Sequence, residues 1–247
     1  MMTCRITIVT VTYNCADSIE KTILSVLEQE NADIEYIIID GESKDSTLEI
    51  VGKYNKRIAK IVSERDKGIY DAMNKAICLA SGDWILFMNS GDTFADRHVV
   101  EKCFSCNLQD YAAIYGSWYS RKNNHLVHVP CDTPFWKSKK RYKSMGFSHQ
   151  SVFVKLEWAR KFPFDLSYKC CADYNMIYNI YENGGRFYCA NIPIAIYDGV
   201  GGFSDKHRSL QRKEHARILG IENTLYFRIF FIKEELKSKI KNILKIK

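Results

Sequence analysis

The chain has 247 residues, 46% of them hydrophobic, and a formal net charge of +7 at pH 7. This length and apolar content allow one large domain with a tail, or two closely packed halves. The charge is uneven, because residues 225–247 carry one arginine and six lysines against two glutamates. The rest of the chain is nearly neutral, which argues against a nucleic-acid-binding protein, since that class needs a basic folded face.

Nine cysteines, an odd number, are scattered through apolar contexts. This usage is typical of free thiols in a reducing compartment rather than of a disulfide framework. The chain has no uncharged apolar run of about 18 residues and no signal-peptide pattern at its N-terminus. We therefore expect a cytoplasmic protein. Cys103 and Cys106 have metal-ligand spacing, but no second pair accompanies them, so we interpret the spacing as chance.

Alternating strand and helix patterns in residues 1–100 predict an α/β fold with βαβ units and a mostly parallel sheet. The predicted strands are 5–12, 34–39, 58–62 and 84–88, and helices at about 17–27, 45–54 and 69–80 separate them. The carboxyl ends of parallel strands meet at one sheet edge, where such folds bind ligands. Four polar loops should therefore converge: 12–14, 40–45, 64–68 and 89–92.

Residues 101–205 are less regular and predict a smaller mixed half. Strands are expected at 111–119, 125–130, 146–154 and 194–197, with a helix over 172–182. The basic, aromatic segment 134–145 is suited to a lid or an acceptor groove. Residues 206–247 are predicted as a basic amphipathic helical tail, so the expected division is 1–205, in halves 1–100 and 101–205, followed by 206–247.

The stretch 63–94 is the segment around which the rest of the predicted fold is arranged. A polar loop leads into an amphipathic helix, and the buried strand 84–88 then ends in Asn89-Ser90-Gly91-Asp92. These residues deliver oxygen ligands at the ligand-binding edge of the sheet. The sequence has neither GxGxxG nor GxxxxGK[ST], so recognition of a diphosphate would depend on a metal and side chains rather than on a glycine-rich cradle.

Six motifs in order resemble the family 2 glycosyltransferases, especially the bacterial subgroup that builds capsule, O-antigen or colanic-acid-type exopolysaccharide. The motifs are Thr10-Val11-Thr12-Tyr13-Asn14, Asp40-Gly41-Glu42-Ser43-Lys44-Asp45, the segment 66–75, Asn89-Ser90-Gly91-Asp92, His149-Gln150 and Ala172-Asp173-Tyr174. The resemblance covers residues 5 to about 205. It implies a GT-A fold, a Rossmann-like sheet flanked by helices, and inverting transfer from a nucleotide-diphosphate sugar.

The resemblance also implies site residues. Thr12 and Asp40 would contact the nucleotide base, Asp66 and Asn74 would line the nucleoside pocket, and Asp173 would be the catalytic base. The neighbouring motif positions assigned to the nucleotide-sugar site are Tyr13, Asn14, Lys67, Gly68, Ser90 and Gly91. Asn89 and Asp92 would hold Mn²⁺ or Mg²⁺ at the DxD position, where Asn89 brings an oxygen but no charge.

Several residues keep a structural alternative. Asp173 could be a helix N-cap, and we favour that role for Asp45. Asp92 could end a strand in a turn. His149 in an apolar segment is more often a satisfied core histidine than a ligand, so it is kept only as a secondary acceptor-side or metal candidate.

The predicted function is an inverting glycosyltransferase that uses a UDP-linked sugar and a saccharide or polyprenyl-linked acceptor at the inner face of the cell membrane. The alternatives are a nucleotidyltransferase-like enzyme and a catalytically silent membrane-surface scaffold of the same fold. The tail would bind an anionic membrane through an apolar face with 3–4 spacing: Leu225, Ile229, Ile232, Leu236, Ile240 and Ile243. Packing of this helix on its own domain or on a second subunit is the alternative.

Overall fold

The computed structural model describes residues 4–122, 125–131, 146–198, 207–225, 227–229 and 231–233. The strands are β1 Arg5–Thr12, β2 Asp33–Asp40, β3 Lys60–Ser63, β4 Trp84–Phe87, β5 Thr93–Phe94, β6 Ala113–Lys122, β7 His125–Val129, β8 Val152–Lys155 and β9 Phe187–Tyr197. The helices are α1 Ala16–Leu27, α2 Thr47–Gly52, α3 Ile69–Leu79, α4 Val99–Cys103, α5 Leu156–Lys161, α6 Ala172–Glu182 and α7 Arg208–Ile218. Short 3-10 turns occupy Asn55–Arg57 and His149–Ser151.

These strands form one sheet in the order β3-β2-β1-β4-β8-β6-β9-β5, with β7 paired to β6. The first four strands are parallel to one another. β8 pairs antiparallel with β4 and with β6, whereas β9 runs parallel to β6. The sheet therefore has a parallel half and a mixed half, joined where β4 meets β8.

Both faces of the sheet are covered, which explains the continuous apolar runs of its central strands. Ile6 and Ile8 of β1 pack with α1, α2 and α4 in one buried cluster. Val9 and Val11 of the same strand pack with α3, α5 and α6 in a second cluster on the opposite face. The odd and even positions of one strand thus serve two separate core layers.

The α/β prediction is confirmed, but several elements of the mixed half were wrong or missed. The expected strand 146–154 is split, because Ser148 and Ser151 cap each other across the 3-10 turn His149–Ser151 and β8 begins only at Val152. The last strand starts at Phe187 rather than near residue 194. The elements β5, α4 and α5 were missed because each is too short to show a periodic hydrophobic pattern. The predicted loop 134–145 lies outside the described residues.

Asp45 acts near a helix start, as expected, although Ser46 is the N-cap of α2. One oxygen of the Asp45 carboxylate accepts the Thr47 amide at 3.0 Å, and the other accepts the Ala16 amide at 3.1 Å. The carboxylate therefore serves the first turns of α1 and α2 together. The Thr47 hydroxyl, which donates to Asp45 at 2.5 Å, contributes most to holding the pKa of Asp45 below its ordinary value, and the two amides add to this effect.

Helix α7 packs against the mixed half rather than standing apart from it. The Glu214 carboxylate accepts the backbone amides of Lys169 and Cys170 at 2.8 and 2.9 Å. The Arg217 guanidinium lies 4.8 Å from the centre of the Tyr168 ring. Side-chain packing thus continues past residue 205, and α7 fixes the segment that leads into α6.

Within the described part of the chain, no helix is both long and apolar enough to cross a membrane. Phe227 is buried, whereas Leu225, Ile229 and Ile232 are 74, 46 and 58% exposed. These three residues belong to the apolar face predicted for the tail. The other three, at positions 236, 240 and 243, fall outside the described residues.

Glu35 on β2 is a buried charged group that ties the centre of the sheet together. Its carboxylate accepts the Thr7 hydroxyl, the Ser81 amide and the Ser81 hydroxyl, each at 2.7 Å, and Lys60 lies 3.8 Å away. Burial alone would raise the pKa of Glu35, but these donors and the lysine outweigh it and lower the pKa. The folded state therefore favours the ionised carboxylate.

We expect Glu35→Gln to lower the free energy of unfolding by about 2 kcal/mol at pH 7, since it removes charge-assisted hydrogen bonds and turns an amide N–H toward Ser81. A lowered folded-state pKa stabilises the protein above the ordinary value of 4.5 and ceases to do so as pH falls through the folded value. The difference should therefore shrink below about pH 4.5 in urea unfolding experiments. Exposed Glu182→Gln is the control, expected to change stability by less than about 0.5 kcal/mol. A pH-independent deficit would contradict the assignment.

Candidate active site

The loops that follow β1 and β2 are joined by hydrogen bonds at the carboxyl edge of the sheet. Thr12 and Asp40 are register partners, and the Gly41 amide donates to the Thr12 carbonyl at 2.9 Å. The Asn14 side chain accepts the Lys44 amide at 2.8 Å. Parallel pairing in register therefore brings the predicted nucleotide-base residues together, as the convergence argument expected.

Within this group, Tyr13 and Asn14 are exposed, whereas the acidic residues are already engaged. Asp40 is fully buried and accepts the Ser43 amide at 3.0 Å and the Ser63 hydroxyl at 2.6 Å. Asp66 accepts the Lys75 ammonium at 2.6 Å. A Cβ atom at Gly41 would lie 3.1 Å from Asp66 and 3.4 Å from the Tyr13 ring, so the small residue lets these side chains approach.

Asn74, predicted in the nucleoside pocket, pairs with the backbone of Phe164. Its amide oxygen accepts the Phe164 amide at 2.9 Å, and its amide nitrogen donates to the Phe164 carbonyl at 2.8 Å. Both polar atoms are thus used to join α3 to the segment before α6. The side chain does not line the large cavity described next.

A cavity of about 720 Å³ lies between the ends of β4 and β8 and the first turns of α3 and α6. Seven predicted site residues line it: Lys67, Gly68, Asn89, Ser90, Gly91, Asp92 and Asp173. The predicted residues outside its wall are Thr12, Tyr13, Asn14, Asp40, Asp66 and Asn74. The nucleotide-base group and the cavity are therefore neighbouring parts of the same edge, with residues 67 and 68 leading from one to the other.

Asp173 and His149 form the central contact of the cavity. His149 Nδ1 lies 3.3 Å from Asp173 Oδ2, and the other ring nitrogen is 3.0 Å from the side-chain amide nitrogen of Asn89. The Tyr70 hydroxyl donates to Asp173 Oδ1 at 3.2 Å. Four elements, the end of β4, the 3-10 turn before β8, α3 and α6, thus contribute to one hydrogen-bonded row.

The ionised forms of Asp173 and His149 stabilise each other. Burial alone would raise the pKa of Asp173, but the hydrogen bond and positive charge of His149 outweigh it and lower that pKa. Burial alone would lower the pKa of His149, but Asp173 outweighs it and raises that pKa. Burial, and then the nearby Asp173 charge, raise the pKa of Tyr70, so its hydroxyl remains a hydrogen-bond donor.

Asp173 is not the N-cap of α6. The N-cap is Cys171, and Asp173 is the second helical residue. The carboxylate accepts the amide of its own neighbour Tyr174 at 2.9 Å, while its other oxygen faces His149. The capping alternative raised by the sequence therefore does not account for this carboxylate.

Asp92 is almost entirely buried and connects the two halves of the sheet. Its oxygens accept the Gln150 side-chain amide at 2.8 Å and the Asp198 backbone amide at 3.0 Å. Its backbone carbonyl accepts the Thr22 hydroxyl at 2.8 Å. Burial raises the pKa of Asp92 although both amides oppose this effect. Asp92 is thus more than a strand-ending turn residue.

The donors near Asp92 suit a hard divalent cation. Asn89 Oδ1 and Ser90 Oγ are buried and have no hydrogen-bond partner among the described residues. One carboxylate with neutral oxygens, completed by substrate phosphates, is a common way for proteins to bind Mg²⁺. The described residues include no group of three or more His, Cys, Asp or Glu side chains able to hold a metal without substrate.

Sequence reasoning missed or undervalued four members of the site. His149 was ranked as a secondary candidate, and Tyr70, Gln150 and Asp198 received no role. Tyr70 and Gln150 could have been found, because they lie inside two of the motifs. Asp198 had no such signal, since it follows the poorly predicted strand β9. Their roles depend on side-chain partners far apart in sequence, which periodicity does not reveal.

Comparison with known proteins identifies the chain's relatives. The glycosyl transferase family 2 model matches residues 7–161, which is more than half of the chain. A PGL/p-HBAD biosynthesis glycosyltransferase of Mycobacterium bovis is 24% identical over 90% of this chain and 86% of its own length. The chondroitin synthase of Escherichia coli is 28% identical over an aligned region that covers 70% of this chain and 26% of that protein.

Solved structures agree in fold. Residues 1–349 of S. aureus TarS in complex with UDP-GlcNAc match with a TM-score of 0.71 at 16% identity, covering 88% of this chain and 66% of that one. The mannosyltransferase PcManGT from Pyrobaculum calidifontis, in complex with GDP-Man and Mn²⁺, matches with a TM-score of 0.64 at 17% identity, covering 84% and 61%. The resemblance and GT-A fold predicted from the sequence are confirmed: the chain belongs to glycosyl transferase family 2 and is a glycosyltransferase.

Proposed function

We propose that the protein transfers a sugar, with inversion, from a nucleotide-diphosphate sugar to a hydroxyl group of a saccharide or polyprenyl-linked acceptor in bacterial surface polysaccharide synthesis. The observation that carries the proposal is the Asp173 carboxylate in the cavity wall, with His149 on Oδ2 and Tyr70 on Oδ1. A UDP-linked donor is supported by TarS with UDP-GlcNAc and by a glucosyl-3-phosphoglycerate synthase of Mycobacterium tuberculosis with UDP and Mn²⁺.

In this proposal Asp173 is the general base. An acceptor hydroxyl in the cavity donates its proton to Asp173 as its oxygen attacks the anomeric carbon from the face opposite the leaving diphosphate, which inverts the configuration there. The contacts from His149 and Tyr70 fix the direction of the carboxylate. His149 and Tyr70 are therefore positioning residues, and Asp173 is the catalytic one.

The donor would lie along the carboxyl edge of the parallel half. Tyr13, Asn14, Asp66 and the buried Thr12 hydroxyl, which has no partner among the described residues, would border its nucleoside, with Asp40 holding their loops. Lys67 and Gly68, at the start of α3, would lead toward the diphosphate. Asn89, Ser90 and Asp92 would hold Mn²⁺ or Mg²⁺, whose charge would stabilise the leaving diphosphate.

We further propose that the protein is peripheral at the inner face of the cell membrane. Leu225, Ile229 and Ile232 are exposed in the described part of the tail, and six lysines lie in residues 225–247. Exposed apolar side chains beside basic ones are typical of helices that bind anionic lipid surfaces.

Replacing Asp173 by Asn tests the base. The amide can still accept from Tyr70 and Tyr174 but cannot accept a proton, so we expect turnover to fall by at least about a hundredfold with nucleotide-sugar affinity retained. Turnover and thermal shift with a UDP-sugar would be measured on the same preparation. Asp165→Asn, outside the cavity wall, is the matched control and should be fully active. Near-normal turnover of Asp173→Asn would remove Asp173 from this role.

Asn89→Asp tests the metal. A second carboxylate next to Asp92 should lower the Mn²⁺ concentration needed for half-maximal activity by about tenfold, because cation affinity rises with ligand charge. Asp92→Ala should abolish activity. Manganese titration after chelation measures both effects, with Ser90→Ala separating loss of a neutral ligand from loss of charge. Full activity in EDTA, together with an active Asp92→Ala variant, would refute a metal at these residues.

Liposome co-sedimentation tests the tail. The triple variant L225S/I229S/I232S should pellet with anionic vesicles several-fold less than the unmodified protein, and salt should weaken pelleting of the unmodified protein by screening its lysines. The control is L126S/V127S, which changes two similarly exposed apolar residues of β7. Equal, salt-insensitive pelleting of all three proteins would contradict membrane attachment.

A further inference from the structure

The inner wall of the active-site cavity is apolar, whereas its mouth combines polar residues with the exposed side chains of Ile69 and Leu166. Six buried side chains from four elements form this wall: Met73, Phe87, Val152, Val154, Met176 and Ile177. We propose that this inner part binds an apolar group of the acceptor, an aromatic ring or a short alkyl chain that bears the accepting hydroxyl. This inference rests on the proposed function, because it places the acceptor relative to Asp173.

The two helices that border the cavity, α3 and α6, place polar residues near its mouth and apolar residues deeper inside. Asp173, Met176 and Ile177 have the spacing i, i+3, i+4, so they lie on one face of α6. Tyr70 and Met73 have the same relation on α3. On each helix the residue of the first turn is partly exposed and the residues one turn later are buried. A ligand whose hydroxyl meets Asp173 therefore has its body about one helical turn, roughly 5 Å, deeper.

The chemistry of the wall selects the class of acceptor. Binding of an apolar group against this wall removes the apolar surface of both the group and the wall from water, which is favourable. A free sugar placed in the same space would leave hydroxyl groups without hydrogen-bond partners against Phe87, Val152 and Met176, which is costly. The inner cavity thus favours an alcohol or phenol with an apolar body, or a saccharide attached through such a group, over a free oligosaccharide.

Methyl-labelled methionine NMR on the full chain tests this without any substitution. Two methionines, Met73 and Met176, line the wall, whereas Met88 is buried in the other core layer. Benzyl alcohol should shift the Met73 and Met176 methyl signals in a saturable way and leave Met88 unchanged. Cyclohexylmethanol distinguishes an alkyl preference from an aromatic one, and glucose and glycerol are the polar controls. Absence of saturable shifts with both apolar alcohols, or equal shifts with glucose, would overturn the proposal.

Filling the cavity gives an independent test. Ile177→Phe or Met176→Trp should weaken benzyl alcohol binding at least tenfold by calorimetry, whereas Asn179→Phe, on the same helix but outside the wall, should not. UDP-sugar binding is measured on the same samples and should be unchanged, because the residues of the mouth are intact. Benzyl alcohol affinity that is unchanged in both cavity-filling variants, with UDP-sugar binding intact, would refute the inference. A protein that binds benzyl alcohol but no nucleotide sugar would instead refute the proposed function.

Discussion

The antiparallel pairing of β4 with β8 is the constraint on which the site depends. Trp84 pairs with Lys155 and Ile85 with Val154, so the end of β4 lies beside the beginning of β8. Asn89, just after β4, therefore meets His149, just before β8, although 60 residues separate them. Once this pairing exists, the first turn of α6 needs only to pack on the same edge for Asp173 to reach His149. The contact between Asn89 and the His149–Asp173 pair thus follows from strand direction.

The parallel half could be predicted well from sequence because its signals are local. Each strand there is a continuous apolar run that ends in polar residues, and parallel pairing then brings the ends to one edge without further information. Thr12 and Asp40 illustrate this, since they are direct register partners. Asn74 shows the limit of the method. Its position within a motif predicts a nucleoside contact, but the pattern does not reveal that its side chain pairs with the backbone of Phe164.

The mixed half was predicted poorly because the contacts that define it are not local. His149 looked like a core histidine because it precedes the apolar residues of β8, and only its distance to Asp173 reveals its partner. Asp92 looked like a metal ligand or a turn residue, yet its carboxylate also accepts amides from Gln150 and Asp198, which lie 58 and 106 residues away. Burial and pairing of charges are properties of the folded chain, and residue spacing carries little information about them.

Glu214 has a consequence for the order in which the protein becomes complete during synthesis. Its carboxylate binds the amides of Lys169 and Cys170 from 45 and 44 residues downstream. When α6 of a nascent chain has emerged from the ribosome, these two bonds cannot form until α7 has emerged as well. The parallel half, whose strands pair within the first 87 residues, can assemble well before that moment. The α6 side of the cavity is therefore the last part to be secured, so an incompletely synthesised chain would have the carboxyl edge of its parallel half before the wall that carries Asp173.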